Sequence, residues 1–592
     1  MTNAINNKKL DMQIVKEVFW AVIFIEMLSQ VASSLSSLIN GLIIGNALDS
    51  AALAALGLCA PVTQVLVALA MFVASGSKIV CGYYIGRGER EKVHAAFTTA
   101  IIMACAIGAV MMIIILAATK PIAVLFGATD DTLMYTMQYL RAYSIAFIPV
   151  IMSPTLAAFL MMCNKTGKAL IGSLIQGAAN LLLGLAAVKL VSGGMFEIGI
   201  ASAIGVWSSC IFMAVSLLSS RGFVRFDIKS FSFKYVGKIA IKGVTGLLMT
   251  LGSSVRGLLL NKQLVIYGGT NAVAAMSVLN SILMIQDAAL MGGANVISMH
   301  YSVAVGEKDP DQMKRVFGYE AGMNILIMGI IGLILSVFGQ DVARIFGADD
   351  TIARLAQIAI IEYHLGEMFF AVMYMSIPAY QCLGYTRMST IMSISSTLIF
   401  PIIFIFLLAP IFGVAGIWGA FIGEGVLSML MNLFFVIKNK KHFPKNLNDW
   451  LLLNDKYSAD RFMNITVDNV EDVCKVSQSV GEFLKENGID DRRCLMSGLC
   501  MEEMAANIVE HGFTKTEKKN RTIDIYAAVD GNDVIMRLRD NAPEFDPFKR
   551  LAMHSVDEND PAKNVGIRMV SKIAKEMDYK CTFGRNVLLI KL

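Results

Sequence analysis

Twelve apolar runs, each about as long as a bilayer is thick, fill this chain up to residue 437 and leave few folds open to it. Only helices and closed barrels satisfy their own backbone in hydrocarbon, and a helix needs about twenty apolar residues to cross. The runs lie near 17–45, 52–76, 94–119, 134–162, 168–190 and 196–219, and again near 240–266, 271–296, 317–339, 355–382, 389–410 and 413–437. The second six repeat the first. Phe126-Gly127-Ala128-Thr129-Asp130-Asp131 returns 220 residues later as Phe346-Gly347-Ala348-Asp349-Asp350, and at that offset Gly86 falls on Gly306, Tyr143 on Tyr363 and Thr166 on Thr386. A period this long excludes a solenoid and suggests the two halves of a membrane carrier. The reading is an all-α polytopic membrane domain of twelve transmembrane helices in two parallel six-helix repeats, 1–220 and 221–437. The echoed stretch itself reads as an outer turn, with glycine at the bend and an aspartate capping the next helix.

Past residue 437 the composition changes. The whole chain is 56% hydrophobic and 16% charged, where a soluble protein carries about a quarter charged residues. The charges concentrate after 438, which predicts a linker at 438–459 and a soluble domain at 460–592. The ten cysteines form no CxxC pair and several lie in apolar runs, so they read as free thiols and not as a disulfide or zinc framework.

Basic residues mark one set of loops: Arg87, Arg90 and Lys92; Lys165 and Lys168; Arg221 through Lys238; Lys308, Lys314 and Arg315; Arg387; Lys438 through Lys445. The opposite loops carry little beyond Lys120, Lys189, Arg344 and Arg354. The positive-inside rule then predicts a multi-pass protein of the plasma (inner) membrane with both termini cytoplasmic. The net charge of +5 is spent in these loops, and no nucleic-acid partner is expected.

An ionised group in hydrocarbon costs about 2.5–3.5 kcal/mol or more, so each one calls for a partner or a purpose. Glu26, Gln30, Ser33 and Ser37 share one face of the first span, which ends at Asn40. The second half carries Arg256, Asp287, Glu362, Glu367 and Glu424. Glu26, Asn40, Arg256, Asp287, Glu367 and Glu424 are the candidates for transport or ion coupling, with Arg256 and Asp287 also readable as a structural pair; H⁺ and Na⁺ are both open as the coupling ion. Grouped methionines such as Met368, Met373 and Met375 suit either core filling or a pliable apolar pocket.

The membrane half resembles the multidrug and toxic compound extrusion (MATE) transporters. The resemblance rests on Asn40-Gly41-Leu42-Ile43-Ile44-Gly45 with Ala51 to Gly57, on their counterpart from Asn261 to Ala275, on the loop Tyr84-Ile85-Gly86-Arg87-Gly88-Glu89, and on Cys382-Leu383-Gly384-Tyr385-Thr386. It covers about residues 15–437 and implies two bundles facing a central cleft. Members often carry an acid in the first span where Asn40 stands here, and asparagine cannot titrate.

In the tail, 462–467 alternates as a strand, 470–487 and 491–512 read as amphipathic helices, strands follow at 522–528 and 533–539, then a helix at 565–577 and a strand pair near 579–591. That pattern predicts an α+β sandwich with helices on one face of a mainly antiparallel sheet. Trp450-Leu451-Leu452-Leu453 fits a segment lying at the membrane surface. Glu503 and Asn507 stand four apart on one helical face, followed by Arg539-Asp540-Asn541-Ala542-Pro543-Glu544 at a strand end and Asn564-Val565-Gly566 opening a helix. These boxes resemble the GHKL ATP-binding fold, particularly the anti-sigma-factor serine kinases. The resemblance implies ATP and Mg²⁺ as cofactors, Glu503 as catalytic base, Asn507 as Mg²⁺ ligand, Asp540 as the carboxylate that takes the adenine amino group, and Gly566 in the phosphate-side loop. Ala542 and Asn564 stand where glycine is usual. His511 reads as a packing or capping residue.

Together the two resemblances imply a secondary antiporter, driven by H⁺ or Na⁺, that exports organic cations or drugs and is regulated by its ATP-binding tail through a cytoplasmic protein partner. The alternative is a membrane sensor whose carrier-like domain controls an anti-sigma-factor-type kinase or partner switch. No Gly-x-x-x-x-Gly-Lys-Ser/Thr box is present, which argues against a primary pump.

Overall fold

The computed structural model describes residues 2–189, 193–219, 224–454, 461–467, 470–515, 521–548 and 565–592. Eleven long helices build the membrane part: α1 (Thr2–Ala47), α2 (Ser50–Gly86), α3 (Arg90–Leu125), α4 (Asp130–Met162), α5 (Thr166–Lys189), α6 (Met195–Leu218), α7 (Phe233–Gly306), α8 (Pro310–Val337), α9 (Asp350–Cys382), α10 (Thr386–Phe412) and α11 (Val414–Lys440). Ten of these, α2 to α11, are long and apolar enough to cross a membrane. One of the ten passes twice. The 74-residue α7 turns back at Gly269, whose φ of +60° is left-handed backbone that glycine adopts without strain. With α1 this makes twelve passes. Bare apolar side chains such as Ile113, Leu182, Leu333 and Leu407 stand on the outside of the bundle, as a lipid-facing surface requires.

Local chemistry sets the helix starts. Asp49 accepts from the Ala52 amide at 2.8 Å, Asp309 from Gln312 at 3.0 Å and Asp349 from Ile352 at 2.8 Å. The echoed stretch is a turn in both copies, with Gly127 and Gly347 at φ of +93° and +82°. Its caps differ: Asp349 caps the second copy, whereas in the first Thr129 holds that place and Asp130 is already the first helical residue.

The halves meet along α2 and α7. Glycines permit it: a Cβ on Gly76 would overlap the Ile239 carbonyl oxygen, one on Gly243 the Phe72 carbonyl, one on Gly86 the Val303 carbonyl and one on Gly306 the Tyr83 carbonyl. The ends at Gly86 and Gly306 therefore touch, and the tail lies on that face.

The tail contains α12 (Leu447–Trp450), β1 (Arg461–Val467), α13 (Val470–Glu486), α14 (Asp491–Asn507), β2 (Ile523–Asp530), β3 (Asp533–Asp540), α15 (Val565–Ile573), β4 (Glu576–Thr582) and β5 (Arg585–Lys591). The sheet is wholly antiparallel in the order β1-β2-β3-β5-β4. Val476, Val480, Met501, Met504, Ile567 and Val570 cover its inner face, against Ile525, Ala527, Met536 and Leu538. The two-residue period turns Tyr526, Arg537 and Arg539 to the other face.

Three expectations are corrected. The helix placed at 565–577 stops at Ile573, because Glu576 opens β4 against Lys591. The helix at 491–512 changes to a π-turn over Ile508–Gly512. Leu451, Leu452 and Leu453 do not lie on a membrane surface: they are buried in the second half, with Trp450 Nε1 donating to Ser376 Oγ at 3.3 Å and the Tyr380 hydroxyl to the Trp450 carbonyl at 2.9 Å.

Candidate functional site

In the second half, α7, α9 and α11 bring four charged groups together. Arg256 Nη1 donates to Glu424 Oε1 at 2.7 Å, so Glu424, and not Asp287, is its salt-bridge partner. Asp287 accepts from the Tyr363 hydroxyl at 3.5 Å. Glu367 is buried one turn further along α9, and its Oε1 has no hydrogen-bond partner among the described residues. All three carboxylates lie within electrostatic reach of Arg256. One arginine therefore faces three acidic side chains, and in so close a group the charge of each acid depends on the others. Glu362 lies on the same helix but is less deeply placed, as its position near the span end suggested.

The first half holds a cavity of about 520 Å³ lined by Glu26, Gln30, Asn40, Tyr139 and, near the tail-side end, Lys78 and Asn295. Lys78 Nζ donates to Asn295 Oδ1 at 2.5 Å, and Asn295 Nδ2 donates to Glu26 Oε1 at 2.7 Å, so one amide links an acid to a base. Gln30 is 3.5 Å from the same Glu26 oxygen. The Ser33 and Ser37 side chains lie outside the described residues. Asn40 is held in a polar chain: Ser202 Oγ donates to Asn40 Oδ1 at 3.1 Å and stands 3.0 Å from Asn180. Lys78 escaped the sequence reading, although a lysine nine residues inside an apolar helix is a visible signal.

In the tail, Asn507 Nδ2 donates to Glu503 Oε1 at 3.0 Å, which confirms that i,i+4 brings the two side chains together. Gly566 stands directly over this pair: a Cβ there would collide with Glu503 Oε1. Asp540 Oδ1 accepts from the Ala542 amide at 2.9 Å and from Asn586 Nδ2 at 2.8 Å, which fixes the carboxylate at the end of β3. Ala542 packs against Gly512 at the end of the Glu503 helix, so the boxes meet on the helical face of the sheet. Asn564 lies outside the described residues. His511 is exposed on the π-turn. The carboxylate–amide pair and the bare glycine beside it make a donor set that fits Mg²⁺ and phosphate.

Two helical bundles around polar clefts, joined to an α+β domain with this carboxylate–amide site, define a two-bundle membrane transporter carrying an ATPase-type domain. The MatE family model matches residues 26–186 and 247–433, and the chain belongs to that family. Its tail, 466–592, matches the histidine kinase-like ATPase domain. The multidrug export protein MepA of Staphylococcus haemolyticus is 23% identical over 422 residues, covering 70% of this chain and 92% of that protein. MepA of Staphylococcus aureus strain MSSA476 is 22% identical over 426 residues with the same coverage. Among solved structures, a MATE protein in a bent conformation superposes with a TM-score of 0.67 at 19% identity, covering 72% of this chain and 96% of that one. An outward-facing multidrug resistance MATE transporter superposes at 0.66 and 18%, covering 71% and 95%. These likenesses show the fold.

Proposed function

We propose that the chain is a secondary active exporter of organic cations or drugs in the plasma (inner) membrane, driven by inward H⁺ or Na⁺ movement and regulated by its ATP-binding tail. The observation that carries this reading is the second-half cluster, three carboxylates around a single arginine. Such a group takes up a proton or Na⁺ from one side and gives it up on the other as the two bundles rock. The relatives named as multidrug exporters support drug-like cargo, and the 520 Å³ cavity is of ligand size. The basic loops, the tail and Glu17 of α1 all lie on one face, which the positive-inside rule assigns to the cytoplasm.

In the tail, Asn507 would hold Mg²⁺, Asp540 the adenine amino group and the backbone at Gly566 the phosphates, with Glu503 as base; the bound nucleotide supplies a transferable phosphoryl group. Regulation has a short polar route. The Tyr579 hydroxyl donates to Asn586 Oδ1 at 2.7 Å, Asn586 donates to Asp540, and the Tyr579 carbonyl accepts from Arg90 of the membrane domain. A second reading, a sensor with a partner switch, is favoured by Leu495 and Leu499, which stand exposed at i,i+4 on α14.

Ethidium transport in proteoliposomes under an imposed H⁺ or Na⁺ gradient, with and without Mg-ATP, is the test. Transport that follows a gradient and proceeds without ATP is expected; transport that needs ATP and no gradient overturns the exporter mechanism. Glu503→Ala should lower any ATP turnover about 100-fold or more while leaving gradient-driven transport possible.

A further inference from the structure

The outer face of the tail sheet, the one without helices, is seated on two loops related by the 220-residue repeat. The first-half loop follows Gly86: Arg90 is paired with Asp578 and donates to the Tyr579 carbonyl, and Gly88 backs onto Leu589. The second-half loop follows Gly306: Glu307 takes Arg537 at 3.1 Å and Arg539 at 2.7 Å, Asp309 takes Arg537 at 2.8 Å, and Lys308 reaches Asp530 at 2.6 Å. Lys580 joins both, donating to the Ile85 carbonyl and standing 4.0 Å from Glu307. The β4–β5 turn extends the seat, with Phe583 against His300, Gly584 beside Asn164 and Arg585 paired with Glu17 at 2.7 Å.

Glu307, Asp309, Arg537, Arg539 and Lys580 are buried charges, and their state follows from their neighbours. Burial alone would raise the Glu307 carboxyl, but Arg537, Arg539 and Lys580 hold it below the usual glutamate range. Asp309 is likewise lowered, with burial opposed by Arg537 and Arg315. Burial pushes the Lys580 ammonium down to about 8, against the pull of Glu307 and Asp578. A network this deep is assembled for one geometry: displacing the second-half loop strands Arg537 and Arg539 in a dry interface, and displacing the first leaves the buried Asp578 without Arg90.

We propose that the ATPase-type tail is a clamp on the cytoplasmic gate: one rigid sheet grips both repeat-related loops, and opening toward the cytoplasm requires it to let go of at least one. This rests on the rocking-bundle reading above. Gly86 and Gly306 touch in the clamped state, and rocking toward an inward-open cleft must part them. The strands over the two loops are linked through the β2-β3-β5-β4 ladder, which cannot lengthen as the loops separate. Lys580 alone would have to abandon one of its two partners.

The test uses the full chain in inverted membrane vesicles, with its ten cysteines replaced and Met299→Cys placed in the cavity wall next to the closed gate. A membrane-impermeant maleimide is added from the cytoplasmic side. Labelling should be slow in this parent and at least tenfold faster with Arg537→Glu. Arg90→Glu should also speed it, and Arg90→Glu combined with Asp578→Arg should restore the slow rate, which separates loss of the contact from misfolding. Release is scored independently by whether a protease cut engineered at 455–460 frees the tail. A freed tail with labelling at the parental rate overturns the clamp, and so does a tail that stays seated in Arg537→Glu. Labelling needs no transported substrate, so a chain that fails to move ethidium yet shows this pattern defeats the exporter reading and leaves the clamp standing.

Discussion

The two halves share a scaffold and differ in their charge. In the first, Glu26 and Lys78 are tied through the Asn295 amide and cancel. In the second, one base, Arg256, faces three acids, Glu424, Asp287 and Glu367. The repeat gives both halves one scaffold, and the acidic cluster stands in only one of them. The tail loops repeat the lesson: the first-half loop holds the sheet through Arg90, whose place at the same offset is taken by Pro310, while the second-half loop holds it through Glu307 and Asp309 together with Lys308.

The sharpest way to break this contrast is to remove the counter-ion in the second half. Glu424→Gln leaves Arg256 without its salt-bridge partner and should cost about 3 kcal/mol of stability, read as a lower thermal midpoint in detergent. Glu26→Gln with Lys78→Met removes both members of the first-half pair and should cost well under half of that. Next in size are Asp287→Asn and Glu367→Gln, which should cut gradient-driven ethidium transport roughly tenfold or more with little change in midpoint. Glu26→Gln alone should reduce it by only about threefold; equal losses in both halves would refute the asymmetry. The smallest effect is on the tail. Glu307 and Asp309 titrate below their ordinary values when seated, so their contribution is fully present above the ordinary glutamate value of 4.5 and is lost as pH falls below it. Lys580, held to about 8, opposes seating most at neutral pH and less as pH rises from 8 toward 10.5. Tail release after linker cleavage should therefore increase below about pH 4.5 and decrease slightly above pH 8; release that is flat in acid would show that the second-half anchor is not the acid-sensitive one.

Much of this was legible because hydrocarbon permits so few structures. Span length and the 220-residue offset predicted the two-bundle fold, and i,i+4 spacing predicted the contact between Glu503 and Asn507. Pairings across spans were not legible. Arg256 could have met Asp287 or Glu424, and only the crossing of α7, α9 and α11 decides it. Lys78 is visible as a lysine inside an apolar helix, but nothing near it in the chain names its partner, because Asn295 is 217 residues away. The docking face was written as an alternation, Arg537 and Arg539 on β3 beside Asp524 on β2, but a strand with one charged face ordinarily meets water. That this one meets two loops of a membrane domain depends on where the linker sets it down.

The strand order carries a consequence for how the molecule is made. β5, which follows every membrane pass in the chain, is inserted between β3 and β4 and pairs with both. Synthesis runs from the N-terminus, so all the membrane passes are in place before this strand exists. Every newborn copy therefore passes through a stage in which the helices are assembled and no joined sheet yet spans the two loops, and the strands over them are tied together only when β5 arrives.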